Sequence, residues 1–584
     1  MMTHIQTRNA SVSALPRLWL RQPLGQGNVL AFVLVVVLAL LVLPPLLVLL
    51  RISFTEFHAG FREGGFTFQH YVGLIQSNTL FRSTVNSVLF AALSTVISLI
   101  FGGILAWLVE RTDVRFKPLA FLTSVVSMGT PYILYVTGWL FLLGKAGPLN
   151  RTWFELTGSP ANLFEVNSLA GMVLVEGFLW SPLVFLLLSA TFRAANAEME
   201  EAARMSGASV ADTILRVSFQ LARPAIVALA LFVFIRNLEA FEVPALVGIP
   251  GNVSVLTTEI YRGMKHMPPD IGFVSAYAMV MVAVIAILLH YYGKLSDRAE
   301  RFASITGKGF RPRPFRLGRL RWLGGGIILF NFFIVLVLPL GAIFWMSVLP
   351  FVQPIRPSAF RAITWENYQR VLTDSYYWGL AGNTLIVAGT VATLVVALTF
   401  LTGWVVARRK RGARIIDQLV TVPLVFPGLV LGIAMLQLAL RAPVPIYGTL
   451  WIIILGFIIR YVPYGMRYSF SGVLQIHTEL EQAAAVSGAN TREMLFKVVA
   501  PLLVPALASG WIFVFLIATK EMSMPLLLAG AQSQTIPVAM FELWTSGQSG
   551  EVAALGLIWA AAMTVLSASF YALTRQASAA TFGK

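Results

Sequence analysis

Apolar runs without a single charge, each long enough to cross a bilayer, recur through this chain and leave it few ways to fold. Val29–Leu50 is an unbroken example, and roughly 20 such residues are what the hydrocarbon core requires of a spanning helix. Within lipid every backbone N–H and C=O needs a partner inside the protein, so only helices or closed barrels can cross. Runs of this length read as helices. Twelve are expected, near residues 29–50, 84–109, 119–143, 170–191, 223–247, 271–292, 323–349, 381–407, 416–440, 447–468, 502–529 and 552–574. Apolar residues fill 57% of the 584 positions and charged residues 12%, with mean hydropathy +0.77. A soluble globular domain carries about 25% charged residues. The expected fold class is an all-α polytopic membrane protein.

A formal charge of +17 raises the question of nucleic acid, and the placement of the charge answers it. With the N-terminus set in the cytoplasm, 29 of the 43 lysines and arginines fall on that side, counting those at span edges with the nearer face. This is the positive-inside asymmetry of a membrane protein. The densest stretch, Lys294 to Arg321, reads as a topology determinant that meets lipid headgroups, and no nucleic-acid partner is expected. Cysteine is absent, which excludes disulfides and thiolate metal sites. The basic N-terminal stretch leads into a run too long for a signal-peptide core, so the first span is expected to be retained.

The chain is internally duplicated. Met199-Glu200-Glu201-Ala202-Ala203-Arg204-Met205-Ser206-Gly207-Ala208 returns as Leu480-Glu481-Gln482-Ala483-Ala484-Ala485-Val486-Ser487-Gly488-Ala489, shifted by 281 residues. Pro224 and Pro505, and Pro244 and Pro525, keep that shift. Upstream, Tyr71, Asn86 and Arg111 match Tyr368, Asn383 and Arg408 at 297. The first half therefore has about sixteen extra residues, placed most simply in the external loop Gly144–Ala170. Six spans per half is an even number, so both halves face the same way, a recognised transporter plan. The expected organisation is a cytoplasmic segment 1–28, a first half 29–292, a basic linker 293–322, a second half 323–575 and a cytoplasmic tail 576–584.

The repeated loops, about 196–222 and 477–503, have a shape that local chemistry predicts. Ala, Glu, Met and Arg favour helix, and Gly207 and Gly488 stand where a helix stops in a left-handed turn. Ser209-x-x-Asp212 and Asn490-x-x-Glu493 then read as capping boxes that start the next helix. Two polar helix–turn–helix elements on one membrane face suit docking to a two-lobed partner.

Glu201-Ala202-Ala203-x-x-x-Gly207 resembles the EAA loop of permease subunits in type I ABC importers. The resemblance implies two parallel six-helix repeats of the type I importer permease fold (MetI-like), with the loops as coupling helices on separate ATPase subunits. On that basis Glu200, Glu201, Ala202, Ala203, Gly207, Glu481, Gln482, Ala483, Ala484 and Gly488 are the expected ATPase-coupling residues. The second copy departs from the pattern, with Gln482 at the glutamate position and Glu481 one residue earlier, so an asymmetric second contact is expected. Pro244–Gly251, Val255–Arg262 and Thr519–Ser523 are similar to ferric-iron importer permeases, a likeness covering nearly all of residues 29–575. It implies iron import, a homodimeric ATPase, a periplasmic or surface-tethered substrate-binding protein, and a bacterial inner-membrane location with both termini cytoplasmic. Related permeases of this plan carry thiamine, polyamines, sulfate, phosphonates or sugar phosphates. No G-x-x-x-x-G-K-[ST] phosphate loop occurs, so the chain is read as a permease without catalytic residues or cofactor, its ATP hydrolysis supplied by the partner.

Charge inside spans is costly and marks function. Glu176, Glu239, Glu242 and Glu521 are the candidate lining of a translocation path. Arg236, Glu239 and Glu242 follow at helical spacing on the expected fifth span, and Lys520-Glu521 occupy the matching place in the second half. The competing reading makes Arg236–Glu239 and Lys520–Glu521 local ion pairs. Tyr132, Tyr135, Tyr461 and Tyr464 are read as packing rather than metal ligands. A proton-coupled secondary transporter also has twelve spans in two halves, yet it needs no repeated docking loop.

Overall fold

The computed structural model of the protein describes residues 26–58, 62–145, 147–194, 197–303, 315–353 and 355–582. Residues 304–314 of the basic stretch, including Arg311 and Arg313, lie outside the described residues, as does the segment before Gln26. Among the described residues, ten helices are long and apolar enough to span a membrane, and two sharply bent pairs, each counted as one span, bring the number to twelve. In the first half these are α1 (Gln26–Ser53), α2 (Asn78–Arg111), the bent pair α3 (Lys117–Gly129) and α4 (Tyr132–Leu143), α5 (Leu169–Ala194), then after the short α6 (Ala197–Met205) come α7 (Phe219–Leu238) and α8 (Ile271–Ala303). The second half has α9 (Leu320–Ser347), α10 (Ser375–Ala407), the bent pair α11 (Ala413–Thr421) and α12 (Gly428–Arg441), α13 (Leu450–Gln475), the short α14 (Thr478–Val486), α15 (Ala500–Ala518) and α16 (Ser549–Phe582). The helix starts at Leu169 and Leu450, and at Ala197 and Thr478, repeat at the 281-residue shift read from the sequence.

Two expectations about spans are corrected. The third and ninth are not straight: they bend by 109° and 104°, at Pro131 and Pro427, each the residue immediately before a new helix. Proline has no N–H to donate and disfavours helix in the residue before it. The fifth and eleventh spans also stop early, at Leu238 and Ala518. The chain after each folds back through a short turn and a second short helix, Leu256–Lys265 and Ile536–Thr545. Glu239, Lys520 and Glu521 thus lie in the turns that follow α7 and α15, and Glu242 opens the short helical turn just beyond Glu239. A two-stranded antiparallel hairpin, Thr55–His58 with Arg62–Phe66, follows α1 under a cluster of Phe54, Phe66, Phe68 and Tyr71 rings.

Each half is built on a close helix pair. Ser94, Ser98 and Gly102 line the buried face of α2, where Ser98 Oγ donates to the Gly177 carbonyl at 2.9 Å. A methyl group on Gly102 would meet the Ser181 carbonyl oxygen at 2.7 Å. In the second half Gly403 lies equally close to Ser469, whose hydroxyl donates to Thr399. Small residues that let backbones approach, with hydroxyls bonding across, are how helices associate where lipid removes the hydrophobic drive. The first span of each half crosses to the other half: α1 packs on α11 and α12, and α9 on α3 and α4. One continuous buried core therefore contains residues of both halves.

Candidate functional site

Two regions contain the candidate residues: the paired loops and a cavity between the halves. In the loops the backbone has the expected form. Gly207 and Gly488 both take φ +86°. The Ala208 N–H donates to the Ala203 carbonyl at 3.1 Å and the Ala489 N–H to Ala484 at 3.0 Å, the six-to-one bond of a Schellman turn. Asn490 Oδ1 accepts from the Glu493 N–H at 2.9 Å while the Asn490 N–H donates to Glu493 Oε2 at 3.2 Å, a complete capping box. Ser209 accepts from the Asp212 N–H at 3.1 Å, but the shorter Asp212 side chain takes the Ser209 hydroxyl instead of its backbone N–H.

Side chains in the loops divide into two groups. Glu200 is 3% exposed, 3.6 Å from Arg111 Nε, and accepts from Ser218 Oγ at 2.7 Å. Glu481 sits 2.8 Å from Arg408 and accepts from Trp404 Nε1 at 3.2 Å. These two glutamates point inward and hold the loop to the ends of α2 and α10. Arginines 111 and 408 do matching work, which their repeat at the 297 shift signalled. Outward lie Ala202, Gln482, Ala483 and both glycines, with Glu201, Ala203 and Ala484 half-buried. Met205 and Val486, equivalent in the repeat, are 90% and 89% exposed.

The four acidic residues expected to line a path, though distant in sequence, converge. Glu176 from α5, Glu239 and Glu242 beyond α7, and Glu521 beyond α15 surround one small cavity of about 30 Å³ with Arg236, Arg460, Tyr132 and Ser523. Arg236 pairs with Glu239 at 2.8 Å, as the local-pair reading expected. Lys520 and Glu521 do not pair with each other, which corrects the other half of that reading. Glu521 meets Arg460 at 3.3 Å and accepts from Tyr461 and Ser523, whereas Lys520 Nζ donates to the Met128 carbonyl of the opposite half at 2.6 Å. The turn after Ala518 separates their side chains. Glu176 accepts from Trp180 Nε1 at 2.9 Å, and Glu242 forms no ion pair among the described residues. A contiguous space lined by Met128, Tyr132, Tyr461, Tyr464 and Lys520 leads to a wider vestibule of about 650 Å³, bordered by Thr191, Ala225, Ser296, Arg467 and Ser471. Those residues lie near the loop-bearing ends of α5, α7 and α13, so the vestibule opens toward the face with the repeated loops and narrows at the charged cluster. Tyr464, Tyr468 and Arg467 were not among the expected path residues; nothing in their spacing separates them from packing.

Comparison with known proteins follows the same division. The family model for the binding-protein-dependent transport system inner membrane component matches twice, over residues 102–301 and 396–579. A putative ferric transport system permease protein, FbpB 1 of Haemophilus influenzae, is 25% identical over 80% of this chain and 73% of its own length. The ferric transport system permease protein FbpB of Actinobacillus pleuropneumoniae is 25% identical over 84% of this chain and 71% of its own. The spermidine/putrescine transport system permease protein PotC of Haemophilus influenzae, 25% identical, aligns 82% of its length with only 37% of this chain.

Proposed function

This chain belongs to the binding-protein-dependent transport system inner membrane components, and we propose that within this ABC importer class its cargo is ferric iron. The observation that carries the reading is the meeting of four carboxylates from both halves in one interior cavity, supported by two relatives of fused-half length named as ferric permeases. Carboxylate oxygens are hard donors that suit a hard, highly charged cation. Glu176, Glu239, Glu242 and Glu521 line the path, and the vestibule beyond them is its cytoplasmic exit. A binding protein delivers iron on the opposite face, and both termini of the chain are cytoplasmic.

Glu201, Ala202, Ala203 and Gly207, with Gln482, Ala483, Ala484 and Gly488, form the surfaces on which two ATPase subunits dock, while Glu200 and Glu481 fix those surfaces to α2 and α10. One oxygen of Glu201, Oε1, is buried without a hydrogen-bond partner among the described residues, an arrangement that costs free energy until a donor is supplied. An ATPase side chain is such a donor, and Gln482 offers no matching charge in the second loop. The domain limits remain those given above: halves 29–292 and 323–575 around the basic linker.

The test is reconstitution of the chain with its ATPase and binding protein, followed by ATP-driven uptake of radioactive ferric iron. Glu201→Lys should lower substrate-stimulated hydrolysis with membrane insertion intact, and Glu242→Gln should alter uptake without altering assembly. Uptake of spermidine but not iron would overturn the cargo, and full coupling in Glu201→Lys would overturn the docking surface.

A further inference from the structure

We propose that Lys520, Arg460 and Arg236 are tethered stand-ins for the cargo: they neutralise the path between transport events and cede their positions to a trivalent cation as it crosses. The inference rests on the reading of the chain as an iron permease and names how its interior site takes the ion.

The two bent spans supply the first observation. Near the break of each, one residue borders the interior space beside the charged cavity: Met128 at the end of α3, and Phe426 in the turn before Pro427. A helix C-terminus carries partial negative charge, and unwound carbonyls in discontinuous spans are cation ligands in transporters. Both carbonyls are met by a side-chain cation. Lys520 Nζ lies 2.6 Å from the Met128 oxygen, contributed by the opposite half, and Arg460 Nη1 lies 3.2 Å from the Phe426 oxygen. Lysine and arginine thus stand at the two places where a passing cation would find backbone oxygen.

The carboxylates supply the second. Arg460 is also the partner of Glu521, and Arg236 of Glu239, whereas Glu242 faces the same cavity with no ion pair. Arg236 and Arg460 line this cavity with the four carboxylates, and Lys520 borders the adjoining space with Glu521, three formal positive charges beside four negative ones. A ferric ion carries the charge of the three together, so exchanging them for the ion leaves the balance of the cluster unchanged. Buried carboxylates left without any cation would be strongly destabilising, which gives the tethers a reason to be present when no ion passes. Every ligand on offer is oxygen: carboxylate, backbone carbonyl and the Tyr461 phenol, which already bonds Glu521. Farther along, the described residues bordering the vestibule include Arg467, Tyr464 and Tyr468 and no carboxylate. Once the ion has left the cluster, the tethers return behind it.

Terbium(III), a hard trivalent probe, is titrated into the assembled complex in zwitterionic nanodiscs and read by luminescence sensitised through Trp180, whose indole bonds Glu176. Lys520→Met should lower the half-saturating terbium concentration by about tenfold or more, the scale set by one like charge a few ångströms away. Methylammonium added to that variant should restore the wild-type value, since it replaces the lost cation. Glu521→Gln should raise the half-saturating concentration. An unshifted or weakened Lys520→Met that elutes as a folded complex overturns the proposal, as does luminescence indifferent to Glu521→Gln. If Lys520→Met fails to assemble, Arg236→Met is read for the same shift with the same consequences. Absence of ATP-driven iron uptake by the wild type would sink the iron reading itself. Uptake with an unshifted Lys520→Met sinks only the tether.

Discussion

Removing the carboxylate of Glu481 tests whether the buried ion pair is what fixes the second loop. Its side chain is 12% exposed and that of Arg408 10%, with Nε and Nη2 each within 2.8 Å of the carboxylate. Glu481→Ala leaves the guanidinium buried with one remaining acceptor, the Ile476 carbonyl at 2.9 Å, and orphans the Trp404 N–H. Breaking a buried pair from one side costs about 3–5 kcal/mol. The surviving Ile476 bond places this case at the low end, about 3 kcal/mol. At about 1.4 kcal/mol per factor of ten, the loop should open roughly 100-fold more often. Because the chain has no cysteine, a single thiol reports this cleanly. Val499→Cys puts one at a position that is 0% exposed, in the turn of helix on which α14 packs. Its rate of maleimide labelling in detergent should rise about 100-fold with Glu481→Ala. Arg408→Met combined with Glu481→Met should recover much of the loss, since no uncompensated charge remains. Equal labelling of parent and Glu481→Ala refutes the reasoning, and a double variant as labile as the single refutes its electrostatic basis.

Gly488→Val forces a β-branched residue to φ +86° and should destabilise the turn by about 1–2 kcal/mol, seen as reduced substrate-stimulated ATP hydrolysis in the assembled complex; undiminished coupling would show that the turn tolerates reshaping. Gly102→Ala brings a methyl within 2.7 Å of the Ser181 carbonyl and within 2.8 Å of the Phe185 nitrogen and should lose about 1–3 kcal/mol in thermal denaturation, while the neighbouring Gly103→Ala, at 3.5 Å from Leu188, serves as the near-neutral control. On the hairpin, the Arg441 guanidinium bonded to Glu63 holds that carboxyl below its ordinary 4.5. A lowered folded value stabilises above the ordinary one and is lost as pH falls through the lowered value. Glu63→Gln should therefore speed amide exchange across Thr55–Phe66 at neutral pH by the small factor that an exposed pair allows, about 1 kcal/mol or less, and the wild type should match the variant once acid has protonated Glu63. A difference that persisted in acid would assign the effect to packing.

Hydropathy, the repeat and the loop chemistry were legible in the residues because each is a local property. A run such as Val29–Leu50 can satisfy its backbone in lipid only as a helix, whatever surrounds it. Gly207 and Gly488 take the same left-handed φ because the turn is settled within a few residues, and so are the caps at Ser209 and Asn490. Even the convergence of Glu176, Glu239, Glu242 and Glu521 was signalled, since charge in a span is costly and gathers in the protein interior, away from lipid. Pairing partners were not legible. Lys520 and Glu521 are adjacent in the chain, and adjacency suggested a local pair. Only the early end of α15 turns one toward Met128 and the other toward Arg460. The bends at Pro131 and Pro427 belong with this group, because proline permits a kink but the crossing of α1 and α9 between the halves decides where the broken ends point. The sequence alone therefore determined that this chain spans the membrane in two like halves with paired loops. Tertiary structure decided which charges meet, because a contact between residues hundreds of positions apart is settled by packing, on which local pattern is silent.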